Sequence, residues 1–149
     1  MIKQIMVPVD GSDTAGKALD YAADLARQTD AAITLLSVVD EGLHVTQSIP
    51  PMSTPSHLLE PIEDYLRQAA EACLAEAKKV CRSKKVKARG VIRTGYPVEE
   101  ILKEAKASEA DLIVIGSHGR SALAATLLGS VAFGIIHRDT TFPVLVVRR

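Results

Sequence analysis

Apolar and polar positions alternate along this chain in two distinct periods, and the periods predict the elements. Ile5-Met6-Val7-Pro8-Val9 is a short apolar run that stops at the turn-forming Asp10-Gly11-Ser12. Ala15, Ala18, Leu19, Ala22, Ala23, Leu25 and Ala26 then recur at helical spacing, with Ser12 or Asp13 as the expected N-cap. Ala32 to Val39 reads as a second buried strand ending at Asp40, and residues 41–57, with Gly42, Pro50, Pro51 and Pro55, as a long loop. Leu58 through Val80 carries the stripe of a long helix, and Val86 to Arg93 alternates as a third strand. Thr94-Gly95-Tyr96-Pro97 turns the chain into a helix through Ala105, with Pro97 at its first position. Leu112-Ile113-Val114-Ile115 has no polar alternation and is expected to be buried on both faces. Gly116 to Gly129 shows no clear period, a helix opens near Ser130, and Pro143 to Val147 forms a fifth strand. The alternation predicts one α/β domain over residues 1–149, a Rossmann-like open parallel sheet of five strands with helices on both faces.

Composition narrows the function. The 149 residues include 47% hydrophobic side chains, enough for a packed core, and 18 basic residues balance 18 acidic ones. With no net charge and only 3% aromatic residues, the chain lacks the basic field and stacking platforms of a nucleic-acid binder. The cluster Arg82-Ser83-Lys84-Lys85-Val86-Lys87 reads as a solvated helix end. The uncharged stretch Ser121 to His137 falls short of the roughly 20 residues of a membrane span and contains two glycines. No export signal is read at the N-terminus, so a cytoplasmic protein without membrane or nucleic-acid partners is expected. Cys73 and Cys81 lie about 12 Å apart on one predicted helix, too far to bridge, and Cys81 is expected to be a passive thiol.

Ligands of open parallel sheets bind beyond the carboxyl ends of the strands, where strand order reverses. That places Asp10-Gly11-Ser12, Val39-Asp40 and Gly116-Ser117-His118-Gly119 at the candidate site. Gly116 and Gly119 lack side chains, so the main chain there can adopt positive φ and approach a ligand closely. Successive amides in such a turn, and the amides opening the helix at Gly129-Ser130, are two anion-binding devices, with Arg120 available to neutralise a phosphate. A glycine turn followed by an ordinary helix cap would give the same spacing.

Competing motifs are weaker. Gly11-Ser12-Asp13-Thr14-Ala15-Gly16-Lys17-Ala18 has the G-x4-G-K core of a P-loop, but Ala18 replaces the Mg²⁺-binding hydroxyl and Gly16 falls inside a helical stripe. No G-x-G-x-x-G dinucleotide fingerprint is present. A receiver-like domain with Asp10 as phosphoacceptor beside Asp13 and Asp40 leaves the Gly116–Ser130 segment unexplained. His118 either donates to a phosphate or faces water, His137 suits a helix C-terminus, and His44 and His57 have no fixed metal-ligand spacing.

The pattern G-x2-G-x9-G-[S/T] from Gly116 to Ser130 resembles the nucleotide-binding motif of the universal stress protein family. Pro8-Val9-Asp10-Gly11-Ser12, Val38-Val39-Asp40, Gly95-Tyr96-Pro97 and Pro143 to Val147 resemble that family's other landmarks, so the likeness spans the chain apart from residues 41–57. The resemblance implies strand order 3-2-1-4-5, a homodimer and an adenine-nucleotide-binding role in stress resistance. It implies that Pro8, Val9, Asp10 and Val39 contact adenine and ribose. It implies too that Gly116, Ser117, His118, Gly119, Arg120, Ser121 and Ala122 wrap the phosphates, and that Gly129, Ser130, Val131 and Ala132 hold them from the helix start. A divalent cation, magnesium or manganese, is expected on the phosphates near Asp10. Some members lack the glycine motif and do not hold ATP, and the complete motif here resembles the ATP-binding branch. Three functions are therefore weighed. The first is an ATP-dependent regulator. The second is a slow ATPase or phosphotransfer enzyme aided by Asp10 or His118, with Arg120 stabilising charge. The third is a nucleotide-free dimeric scaffold. Val144 to Val147 is expected to be the edge strand that pairs two copies, and the stretch 42–59 to cover the site or another subunit.

Overall fold

The computed structural model of the chain describes residues 1–40, 56–119, 128–138 and 141–148. Strands β1 (Gln4–Pro8), β2 (Ala32–Asp40), β3 (Ala88–Gly95), β4 (Leu112–Gly116) and β5 (Val144–Val147) alternate with helices α1 (Asp13–Thr29), α2 (Ser56–Ser83), α3 (Pro97–Ala107) and α4 (Ser130–His137). All strand pairs are parallel, and the sheet order is β3-β2-β1-β4-β5. The expected order is therefore found, with β5 at one edge. Several boundaries shift by one to three residues from the sequence reading. The third strand starts at Ala88 and runs through Gly95, and the long helix starts at Ser56.

Successive residues of a strand face opposite sides, and this divides the core in two. Ile5, Val7, Ile33, Leu35 and Val114 pack beneath α1 and α2, against Leu19, Leu74, Ala77 and Cys81. Met6, Leu36, Ile113 and Ile115 pack on the other side with Ile101 and Ala105 of α3 and Ala132 and Ile135 of α4. Burying one such Ile or Leu contributes about 1.5–3 kcal/mol. The buried face of α1 is mostly alanine, namely Ala15, Ala18, Ala22, Ala23 and Ala26, which lets this helix approach the sheet closely. Ser12 caps α1, its hydroxyl accepting from Ala15 N–H at 3.3 Å, and Asp30 ends the helix in the left-handed region at φ 57°.

Edge strand β3 is fastened to α3 by charge as well as apolar contact. Arg93 Nε donates to Glu104 at 2.8 Å, and its guanidinium also reaches Glu100 at 3.5 Å, both carboxylates being buried. A charged edge of this kind also discourages pairing with a stray strand. Among the described residues no helix is long and apolar enough to cross a membrane.

The start of β1 is tied to the start of β4 through Asp111. Its Oδ2 accepts Lys3 N–H at 2.8 Å and Gln4 N–H at 2.9 Å, while Asp111 N–H donates to Gln4 O. Those two backbone donors, Lys3 first and Gln4 next, hold the carboxyl below its ordinary range. A depressed folded-state pKa gives stability that is present above the usual carboxylate range and is lost as pH falls through the folded value. Wild type is therefore expected to resist urea better than Asp111→Asn at neutral pH, with the two converging in strong acid. Parallel urea curves for both proteins across the acid range measure this.

Candidate functional site

The site forms where β1, the central strand, meets neighbours whose connections leave in opposite directions. β1 is in register with β2 only as far as Pro8 opposite Leu36, after which Val9 N–H donates to Leu36 O at 2.8 Å. β2 continues to Asp40 beside β3 alone. Because peptide groups alternate along a strand, the next N–H and C=O of β2 on the vacated β1 side belong to Val38. The chain leaving β1 bends at Gly11, which has φ 82°, and Asp10 Oδ1 accepts Ser12 N–H at 2.9 Å. This is an Asx-type turn that delivers the chain into α1.

The end of β4 is wedged between two helix starts. A Cβ on Gly116 would lie 2.6 Å from the carbonyl carbon of Thr14 and 2.8 Å from Ala15 N. These are main-chain atoms of the first turn of α1 and cannot rotate away. Thr14 is buried, its hydroxyl donates to His118 O, and it accepts from His118 N–H at 3.3 Å. From the other side, Gly129 N–H donates to Ser117 O at 2.5 Å, and a Cβ at 129 would fall 2.9 Å from that same oxygen. Ser117 N–H remains paired with Val147 O. A Cβ on Gly119 would stand 3.0 Å from Asp10 Oδ2, so the two turns touch. Gly116 and Gly119 do not use the left-handed conformation that a glycine permits. Among the described glycines positive φ occurs at Gly11 and Gly95, so close packing is what requires glycine at 116.

Helix α4 starts at Gly129 with no side-chain cap and no acidic residue in its first turn. Its ladder begins with Phe133 N–H on Gly129 O, which leaves the N–H groups of Ser130, Val131 and Ala132 outside that ladder. Such amides carry the positive end of the helix dipole. His118 Nδ1 lies 2.8 Å from Ser117 Oγ, which orients the imidazole.

These parts surround a cavity of about 370 Å³ above the strand ends. Pro8, Val9, Asp10, Val39, Gly116, Ser117, His118, Gly119, Gly129, Ser130, Val131 and Ala132 all line it. Arg120, Ser121 and Ala122 lie outside the described residues, as do residues 41–55 with His44, and the side chain of His57. The sequence reading missed Thr14, Ser37, Val38 and the apolar walls given by Leu66, Ala69, Ala70 and Cys73 of α2 and by Pro97 and Ile101 of α3. Thr14, beside the Asp-Gly-Ser turn, offered a local signal. The walls offered none, because their helical stripes look like core.

Other sequence candidates fall away from the cavity. Gly16 sits inside α1 and Lys17 is exposed, as a helix rather than a P-loop requires. Cys81 is buried, and burial raises its thiol pKa, with the charge of Lys84 acting in the opposite direction, which suits an inert thiol. His137 Nδ1 lies 3.0 Å from Phe133 O at the end of α4 and its ring stacks on Phe133.

The glycine-lined loop, the uncapped helix start and the strand order together match a family. The universal stress protein family model matches residues 1–148. The chain belongs to that family. The universal stress protein YxiE of Bacillus subtilis is 36% identical, the match covering 99% of this chain and 100% of the relative. The solved structure of MJ0577 from Methanocaldococcus jannaschii superposes with a TM-score of 0.83 at 31% identity, covering 100% of this chain and 97% of the other. A universal stress protein solved in complex with cAMP superposes with a TM-score of 0.68 at 26% identity, covering 99% of this chain and 97% of the other.

The wedge at Gly116 gives a direct test. Gly116→Ala inserts a methyl group against main-chain atoms and is expected to cost about 1–3 kcal/mol, as overpacking does. Gly16→Ala, in open helix surface with nothing within 4 Å, is expected to be neutral or stabilising. Chemical denaturation of both variants and wild type measures the contrast.

Proposed function

We propose that this universal stress protein binds an adenine nucleotide, ATP with a magnesium or manganese ion, and uses occupancy of the site to regulate a stress-resistance response. One observation carries the reading. Gly119, at the end of the turn after β4, and Ser130 to Ala132, whose amides lie outside the α4 ladder, line one cavity, and the two segments are held together by the bond from Gly129 N–H to Ser117 O. Convergent, uncommitted amides at a helix start favour a polyphosphate. The apolar wall by Val9 and Val39 suits a flat base, with Pro8 and Asp10 at the base and ribose end. The relative solved with cAMP supports the adenine class. Arg120, Ser121 and Ala122 are proposed to complete the phosphate cradle.

The residues present fit a cation shared with phosphate rather than one caged by protein. Among the described residues no group of three or more His, Cys, Asp or Glu side chains could hold a metal alone. Asp10 is an oxygen donor of the kind magnesium and manganese take, at the rim where the Gly119 turn comes closest. One carboxylate oxygen of Asp10 accepts Ser12 N–H, which fixes the orientation of the carboxylate at the rim. Occupancy would shift the population of a conformation or dimer that another molecule reads.

Nucleotide-stripped protein is expected to melt higher in the presence of MgATP. At one hundred times Kd the gain is about 2.7 kcal/mol, or roughly 5–10 °C for a domain of this size. Gly119→Val, which places a branched side chain against Asp10 Oδ2, is expected to abolish the shift. Differential scanning fluorimetry decides it, and no shift in wild-type protein rejects the proposal.

Homodimerisation through β5 is proposed on its position at the sheet edge, where Val144 to Val147 are each only partly buried. Light scattering across a concentration series is expected to report a dimer, and replacing Leu145 and Val147 by lysine is expected to give monomers. A wild-type monomer at every concentration removes this part of the proposal.

A further inference from the structure

Four hydroxyl side chains are buried in the described residues: Thr14 at 4% exposure, Thr34 at 0%, Ser37 at 5% and Ser117 at 1%. Three of them have partners. Thr14 is bonded to the His118 main chain, Thr34 Oγ1 accepts from Gln4 Nε2 at 2.6 Å, and Ser117 Oγ meets His118 Nδ1. Among the described residues no hydrogen bond reaches the Ser37 hydroxyl. A buried polar atom without a partner in the fold is costly, so its presence needs a reason.

Its place in the fold supplies one. Ser37 lies on β2 one residue beyond the last pairing with β1, and it lines the cavity. Alternation along β2 puts it on the face shared by Ile33, Leu35 and Val39, which looks toward α2. Ala69, Ala70 and Cys73 of that helix line the same cavity, as do Val9 and Val39. The result is an apolar slot with a single unbonded hydroxyl deep in its wall, far along the chain from the amides assigned to phosphate. A heteroaromatic base has flat apolar faces and a polar edge, and a serine hydroxyl can both donate to a ring nitrogen and accept from an amino group. A ribose or phosphate would be poorly served there, since each needs several polar partners.

We propose that Ser37 is a specificity-determining residue whose hydroxyl hydrogen-bonds the polar edge of the nucleotide base. This rests on the nucleotide-binding reading and deepens it, assigning to one side chain the job of reading the base. The base would give the hydroxyl a partner that no described residue supplies, so the contact would add to affinity rather than to folding.

The test compares wild type with Ser37→Ala in three ligands, measured by calorimetry or competition: ATP, 2′-deoxy-ATP and ribose 5-triphosphate, which has no base. Ser37→Ala is expected to weaken ATP and 2′-deoxy-ATP by the same factor, about 3- to 10-fold for one hydrogen bond, and to leave ribose 5-triphosphate unchanged. The nucleotide-free variant is expected to melt at the same temperature as wild type or higher, because no bond in the fold is lost. Unaltered ATP affinity overturns the proposal. So does a loss that disappears with 2′-deoxy-ATP, which would place the contact on the sugar, or an equal loss with ribose 5-triphosphate. A lowered melting temperature in nucleotide-free protein assigns the hydroxyl to folding and overturns it as well. If wild type binds none of the three ligands, it is the nucleotide reading that fails, and the two failures are thereby distinguished.

Discussion

The absence of a side chain at Gly116 lets the first turn of α1 rest directly on the end of β4. A Cβ there would sit 2.6 Å from a main-chain carbon of Thr14. The alanine face of α1 brings the helix this close, and the Thr14 hydroxyl then binds the His118 main chain on both its N–H and its C=O. The path of the chain after β4 is thus fixed by α1, an element that precedes it by about a hundred residues. Gly129 closes the same junction from the opposite side through Ser117 O. Two turns that belong to different halves of the sheet are joined into one rim, and the amides of α4 face the cavity because that rim holds them.

In the proposed function the described part of the site attracts an anion with little side-chain charge. Described cavity-lining residues include Asp10 and Asp40 but no lysine or arginine. Attraction for an anion in the proposed function comes from backbone dipoles, which are oriented by the fold and need no reorganisation on binding. Specificity is separable from that attraction. In the proposed function it would rest on the tips of β1 and β2, where the early end of β1 leaves Val38 main-chain groups without a strand partner and where Ser37 lies.

Periodicity alone placed the strands and helices well, because each carries a strong stripe of one period. Boundaries moved where local chemistry was ambiguous. Gly95 looks like a turn residue, yet its backbone stays in β3 opposite Asp40, and its missing Cβ makes room for the Glu100 side chain. Strand order came from the likeness to a family, since no pattern within a strand states its neighbour. Of the described residues placed at the candidate site all but Gly11 line the cavity, which lies at the strand ends the switch-point rule names. The packing reason for glycine at 116 is not legible in the sequence, because backbone freedom is a local property and a helix pressing from elsewhere in the chain is not. Ser37 and the α2 wall were illegible for the same reason. A buried threonine with partners and a buried serine without one have the same appearance in a sequence.

The central claim is that main-chain amides at the β4–α4 junction grip a triphosphate. Amide chemical shifts of ¹⁵N-labelled protein titrated with MgATP read this most directly. The account predicts large, saturable shifts at Gly119, Ser130, Val131 and Ala132, reproduced by inorganic tripolyphosphate, while Val9 and Val39 respond only to the nucleotide. Saturable binding of MgATP that leaves the four junction amides unmoved would contradict it.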